Sequence, residues 1–391
     1  MDSLNAINEK IIALKTKMKD SKDATVIDDD ADDDKKNDSE GNSNISNKGR
    51  VIFDATACPQ DIAYPTDLDL LSTARKKSEE LIDELYNPLL HEKKPRTYRK
   101  VARKRYLKTA QKKNKRRQET RKAIGSQLRF LKRNLNSINR LLNSYSTIPL
   151  NPKDYKYLLV ITILYQQQKK MYDDKTHSVN DRIVSIHQPH VRPIVRGKTQ
   201  AKVEFGSKIH VSIVDGISFL DQLSWDAFNE GSHMMEYVEK YNQRFGFYPS
   251  ELLADQIYCN RANRAALKEK GIRLIAKPLG RPSAVQIHVR PGERNPIEGK
   301  FGQAKTAYGL NRIKARLMNT SESWIASIIL VLNLVKLAGV ALPCLFLMWA
   351  GSFSARMNEI FLTKFATIKD IYYTMECQII KANRVNNKIM A

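Results

Sequence analysis

Three observations predict an α/β protein in which a long basic helical segment separates the first strand from the rest of the sheet. Short runs rich in β-branched residues occur at 51–57 and again beyond residue 181. Helical patterns at 234–245 and 261–270 alternate with the later runs. Between the two groups, residues 67–172 carry helical periodicity and most of the positive charge.

In chain order, residues 4–19 suit a short helix. A solvated linker follows at 26–50, since its Asp, Asn, Ser and Lys bury too little apolar area to offset the entropy of ordering it. The first strand is VIFDATA, residues 51–57. From Asp67 onward the chain reads as helical, with an antiparallel pair as its core. Ile124, Leu128, Leu131, Leu135, Ile138 and Leu142 form one apolar stripe at three- and four-residue steps, and 155–171 continues the helical character. Further strands are expected at 182–186, 208–214, 217–220, 251–255 and 272–276, with Asp215-Gly216 as a hairpin turn. Residues 324–350 are apolar and long enough to span a bilayer. Lys336 near their middle and Pro343 favour instead a buried helix pair. The expected organisation is therefore a short helix and acidic linker (1–50), a first core strand (51–66), a helical basic insertion (67–180), the remainder of the core with its following helices (181–350) and a helical tail (351–391).

Charge restricts the class of partner. The 391 residues hold 66 Lys and Arg against 42 Asp and Glu, a net charge of +24. So basic a chain implies a polyanion, most simply nucleic acid, with acidic lipid surfaces as the rival. Residues 93–133 alone contain 19 Lys or Arg and one acid, Glu119. A block so dense and one-signed points to contact with a phosphate backbone, and Arg99, Lys100, Arg103, Lys104, Arg105, Lys112, Lys113, Arg116 and Arg117 are the candidates on it. Arg196 and Lys198, in a basic turn-rich segment, are two more. The four cysteines are far apart and form no CxxC pair, which argues against a disulfide framework or zinc ribbon and fits a reducing cytoplasm. The first residues lack the order of a secretory signal.

Three acids stand out by position. Asp54 follows Val51-Ile52-Phe53, Asp255 closes Leu252-Leu253-Ala254, and Glu298 lies two residues after Pro296, a residue suited to a first helical turn. A carboxylate in an apolar strand costs free energy unless it is paired or metal-bound. Converging carboxylates suit Mg²⁺ or Mn²⁺, and two such ions about 3.5–4 Å apart activate a water or a 3′-hydroxyl and stabilise the leaving oxygen of a phosphodiester. Residue pattern alone does not separate that reading from three ordinary strand-end and helix-start acids. Asp181 and Asp215 are fallback first carboxylates. His187, His190 and His210 have no clustered Cys or acid partner and read as ordinary polar residues rather than a metal site.

The segments DATACPQDIAYPTDLDLL (54–71), RIVSIHQPHVRPIVRGK (182–198), VEFGSKI (203–209), LLADQIY (252–258) and RNPIEGKFGQAK (294–305) together resemble the DDE transposases of bacterial insertion sequences, in the insertion sequence five group. The resemblance runs from about residue 51 to about residue 339. It implies an RNase H-like catalytic core with Asp54, Asp255 and Glu298 as its acids, Mg²⁺ or Mn²⁺ as cofactor, two ions in all, and cutting and joining of double-stranded DNA at terminal inverted repeats and target sites. A nucleoid-associated cytoplasmic protein without a membrane partner is implied, as is a homodimer. The related superfamily often shows a Tyr, two residues, an Arg, three residues, the catalytic Glu, six residues and a Lys. Arg294, Glu298 and Lys305 keep that spacing, and such steps put them on one helix face, where Arg294 and Lys305 would hold phosphate. The tyrosine position is Pro291, a departure. Relatives also usually carry a helical end-recognition domain ahead of the first catalytic strand, so the chain reads as shortened there. The alternative expectation is an inactive remnant that binds DNA without cutting it.

Overall fold

A computed structural model describes residues 47–195, 203–276 and 294–349, together with residues 6, 7, 9, 10 and 292. Residues 26–46 of the expected acidic linker, the tail beyond 350, Arg196, Lys198, Pro291 and most of the short first helix lie outside the described residues, whereas residues 47–50, expected to end the solvated linker, join the fold: Asn47 donates to the Lys270 carbonyl at 2.7 Å and the first strand already begins at Arg50.

One mixed sheet organises the C-terminal part. Strand β1 (Arg50–Pro59) lies between β3 (Val203–Val214), antiparallel to it, and β5 (Glu251–Leu253), parallel to it. Beyond β5 comes β6 (Arg273–Ile275), also parallel. On the far side of β3 lie β2 (Arg192–Val195) and β4 (Ile217–Ser224), both antiparallel to it. Asp215 and Gly216 turn β3 into β4 with φ of 50° and 79°, the pair of positive angles that a two-residue hairpin matched to strand twist demands.

Alternation along β1 sends Val51 and Phe53 to one face and Ile52 to the other. The first face is covered by α5 (Met234–Phe245) and α6 (Arg261–Glu269) through Met234, Tyr237, Val238, Tyr241 and Leu267. The second is covered by α7 (Asn295–Thr306) and α8 (Met318–Trp349) through Ile297, Phe301, Ala304, Ile325 and Ile329. Each of the Ile, Leu, Val, Met and Phe side chains so withdrawn from water contributes about 1.5–3 kcal/mol. Asn333 fixes the register of α8 against β4, since its side chain both accepts from and donates to the backbone of Ser218 at 2.8 Å.

Between β1 and β2 come four helices: α1 (Asp67–Leu85), α2 (Arg99–Ala110), α3 (Arg117–Leu142) and α4 (Pro152–Asp174). Thr66 caps α1 and Asn151, followed by Pro152, caps α4. The apolar stripe of α3 enters one core with Leu71, Leu81 and Ile82 of α1 and Ile161 and Leu164 of α4. The core is thus a trio of helices rather than the expected antiparallel pair. Helix α2 buries only Ala102 and Thr109, so apolar packing does not hold it. Polar contacts do: Arg99 grips Asp83, Tyr106 donates to Asp69 at 2.6 Å, and Gln127 of α3 donates to the Ala102 carbonyl at 3.0 Å.

Two expectations need correction. Residues 182–186 form no strand, because their apolar side chains are divided: Ile183 and Ile186 enter the helical core while Val184 packs with Val191 and Trp225, and the Ile183 N–H donates to the Gln167 side chain. The apolar stretch after residue 317 is one helix running through Pro343, not a pair, since a proline removes one backbone donor without obliging the chain to reverse. Met318–Gly339 is long and apolar enough to cross a membrane, but its Ile325, Ala326, Ile328, Ile329 and Leu332 lie in the sheet's own core.

Candidate active site

Asp54 sits in mid-strand at the centre of the sheet, on the face of Ile52 and Cys58 that α7 covers. Its Oδ1 accepts the Ala55 N–H at 2.8 Å. Asp255 lies two residues beyond β5, level with Asp54 because Ile52 pairs with Leu253, and there it caps a 3-10 turn (Gln256–Tyr258) by accepting the Gln256 N–H at 2.7 Å. Arg294, the residue before α7, joins the two: one guanidinium nitrogen is 3.2 Å from Asp54 Oδ2 and the other 3.2 Å from Asp255 Oδ1. Burial lifts the Asp54 carboxyl above the ordinary aspartate range. The Ala55 N–H and the guanidinium pull it back down, and the neighbouring Asp255 and Glu230 push it up.

A second layer stands behind this pair. Glu230 opens a 3-10 turn (Glu230–His233) and is bound by Lys208 of β3, whose ammonium also donates to the Phe228 carbonyl at 2.7 Å. The two 3-10 turns touch at Gly231, where a Cβ would stand 2.4 Å from the Ile257 carbonyl oxygen. Asn263 ties them from α6, donating to the carbonyls of Gly231 and Tyr258 at 2.7 and 3.0 Å. Under the opposite face of the sheet, His210 hydrogen-bonds Asp221, which Arg244 holds at 2.6 Å; both His210 and Asp221 are fully buried. Desolvation disfavours the imidazolium of His210, and stacking on Tyr237 closes it in. This triplet is structural support for β3 and β4.

Glu298 lies in the first turn of α7 and is exposed. Helical steps put Arg294, Glu298 and Lys305 on one line beside the buried stripe of Ile297, Phe301 and Ala304. The structure thus brings together Asp54, Asp255 and Arg294, with Glu298 on the adjoining turn. Among the described residues no group of three His, Cys, Asp or Glu is close enough to hold a metal ion. The Asp54 and Asp255 oxygens do converge on one cation, and hard carboxylate oxygens are the donors that Mg²⁺ and Mn²⁺ prefer, so the pair fits such an ion. Asp181 and Asp215 occupy left-handed turn positions. The three histidines are dispersed, His187 on Tyr157, His190 on Trp225 and His210 on Asp221.

On the helical part, Lys100, Arg103, Lys104, Arg105, Lys113, Arg116 and Arg117 are exposed. Arg99 and Lys112 are also exposed but carry ion pairs, with Asp83 and Glu119. A cleft of about 340 Å³ between α2 and α3 is lined by Arg105, Lys108, Lys112, Lys122 and Arg129, with Glu119 among them. Lys108, Lys122 and Arg129 are additions to the sequence-based candidates, and each lies in the same basic block. Glu230 and Lys208 carry no local signal at all.

Residues 252–335 match the family model of the transposase DDE domain. The match supports a DDE transposase. It begins at β5, includes Asp255 and Glu298 and ends within α8; Asp54 and the helical part precede it. No curated protein matches the chain.

Proposed function

We propose that the protein is a DNA transposase of the insertion-sequence type, which cuts and joins phosphodiester bonds at the ends of its element. The observation that carries this is the convergence of Asp54 and Asp255, from strands far apart in sequence, on one cationic group beside the helix that bears Glu298. The strand arrangement, with antiparallel β3 and β4 on one side of β1 and parallel β5 and β6 on the other, supports an RNase H-like core. On this reading Asp54, Asp255 and Glu298 hold two divalent ions, which when bound would activate the attacking oxygen and stabilise the leaving one. The chain's own part is to fix Asp54 by the Ala55 N–H and Asp255 by the 3-10 turn, so that their oxygens face one point. Lys305 and the exposed cations of α2 and α3 would bind DNA phosphates, the latter where the duplex crosses the helical insertion.

The test is cleavage of a labelled duplex carrying the element's terminal inverted repeat, in Mg²⁺, Mn²⁺ or EDTA. Wild-type protein should cut only with metal, and Asp54→Ala, Asp255→Ala and Glu298→Ala should each abolish cutting. Binding without cutting in either metal would favour the second reading, a DNA-binding remnant without catalysis, which the separation of Glu298 from any three-acid group among the described residues keeps in view.

A further inference from the structure

The guanidinium of Arg294 occupies the point at which a cation would have to bind. Its two terminal nitrogens are 3.2 Å from Asp54 Oδ2 and 3.2 Å from Asp255 Oδ1, and its Nε is buried with no hydrogen-bond acceptor among the described residues. Two carboxylates with Glu230 close behind them need a compensating cation, and Lys208 is already engaged by Glu230. Arg294 precedes α7, which is anchored independently by Ile297, Phe301 and Ala304, so its side chain can leave the aspartates without the helix moving. A planar fork with a spare Nε–H suits a phosphate as well as it suits a carboxylate.

We propose that Arg294 is an internal cation that locks Asp54 and Asp255 together in the metal-free protein, and that a phosphate of bound DNA draws it away and opens the pair to a divalent ion. The proposal rests on the reading of Asp54 and Asp255 as metal ligands. Guanidinium and metal compete for the same oxygens, so each weakens the other. Phosphate competes with the aspartates for the guanidinium, so DNA and metal strengthen each other through it. Couplings of this kind change affinity by about 5- to 150-fold, and reciprocally. The lock keeps the pair from taking up metal before DNA is in place.

The experiment measures Mn²⁺ affinity of the full chain by electron paramagnetic resonance, with and without a short blunt duplex of arbitrary sequence, after subtraction of Mn²⁺ bound by the duplex alone. Wild type is compared with Arg294→Gln, Arg294→Lys and Asp255→Asn. Without DNA, Arg294→Gln should bind Mn²⁺ at least about fivefold more tightly than wild type, with Arg294→Lys between them. The duplex should tighten Mn²⁺ binding to wild type and not to Arg294→Gln. If Arg294 merely props the aspartates in place, Arg294→Gln binds Mn²⁺ more weakly, and the lock is refuted. If Mn²⁺ binds the wild type and is lost in Asp255→Asn but is indifferent to Arg294 and to DNA, the lock fails while the metal site stands. Absence of Mn²⁺ binding by every form, with and without DNA, overturns both the lock and the metal site beneath it. Should Arg294→Gln fail to fold, the effect of the duplex on the wild type and on Arg294→Lys still decides the matter.

Discussion

Arg75 should be the costliest single side chain to remove from the helical part. Its side chain is 1% exposed and bonds the Glu79 carboxylate, itself 7% exposed, while its Nε donates to Gln127 Oε1 at 3.1 Å. Arg75→Met leaves Glu79 desolvated with Arg99 Nε at 3.7 Å and takes the donor from Gln127, whose amide also holds α2 through Ala102. Removing one member of a buried ion pair costs about 3–5 kcal/mol, because the remaining charge is buried without compensation. Replacing both members by apolar groups avoids that penalty, so Arg75→Met with Glu79→Leu should recover most of the loss. Burial already raises the Glu79 carboxyl, against the pull of Arg75, and without Arg75 it rises further. A carboxyl whose folded value lies above its unfolded one binds its proton more tightly when folded, so the variant's deficit shrinks as pH falls toward 5 and grows as pH rises. Urea unfolding followed by far-ultraviolet circular dichroism, at two pH values, measures all of this. A loss below about 1 kcal/mol for Arg75→Met, or no recovery in the double variant, would show that the buried pair does not hold the helices as described.

Three other expectations follow from the structure. Gly231→Ala places a Cβ 2.4 Å from the Ile257 carbonyl oxygen, so the two 3-10 turns must part; cleavage activity and melting temperature should both fall, and unchanged values would show that the contact does not position Asp255. His190 is held down to about 4 by burial, reinforced by Lys156 and Arg192. Its unfolded value is about 6.5, so stability from the neutral ring is complete above that and lost as pH falls toward 4, on the order of 2 kcal/mol after discounting for partial exposure; the drop in melting temperature from pH 7 to pH 5 should be smaller in His190→Gln. Reversing Lys100, Arg103 and Lys104 to Glu should weaken duplex binding and make the logarithmic salt slope shallower by about 0.9 for each phosphate no longer neutralised, without changing the melting temperature, whereas Arg99→Gln should lower melting by releasing α2 from Asp83. Equal salt slopes would place the DNA path elsewhere.

Much of the architecture was legible because local chemistry decided it. Asp215-Gly216 dictates a hairpin turn wherever it joins two β-branched runs, and the run at 234–245 has an apolar face suited to a helix at the bounds observed. Asp54 was legible as a carboxylate inside an apolar strand, and Pro296 as the start of a helix. What was not legible depended on tertiary partners. Residues 182–186 have strand-like composition, yet they divide their side chains between two cores, a choice that only the assembled helices impose. The spacing of Arg294 suggests a phosphate ligand; that its guanidinium spans Asp54 and Asp255 follows from the parallel register of β1 and β5. Glu230 reaches the site through a short turn with no periodic signal, and Arg99 sits in a charge run that gives no hint of which cation pairs with Asp83.

Whether Asp54, Asp255 and Glu298 form one divalent-metal site is best decided by the anomalous scattering of Mn²⁺ in crystals of the protein bound to a short DNA duplex. Manganese peaks should bridge Asp54 and Asp255, with Glu298 drawn in as a further ligand and Arg294 displaced from the pair. Manganese bound only elsewhere, with Arg294 still spanning the two aspartates in crystals saturated with Mn²⁺, would contradict the proposed site.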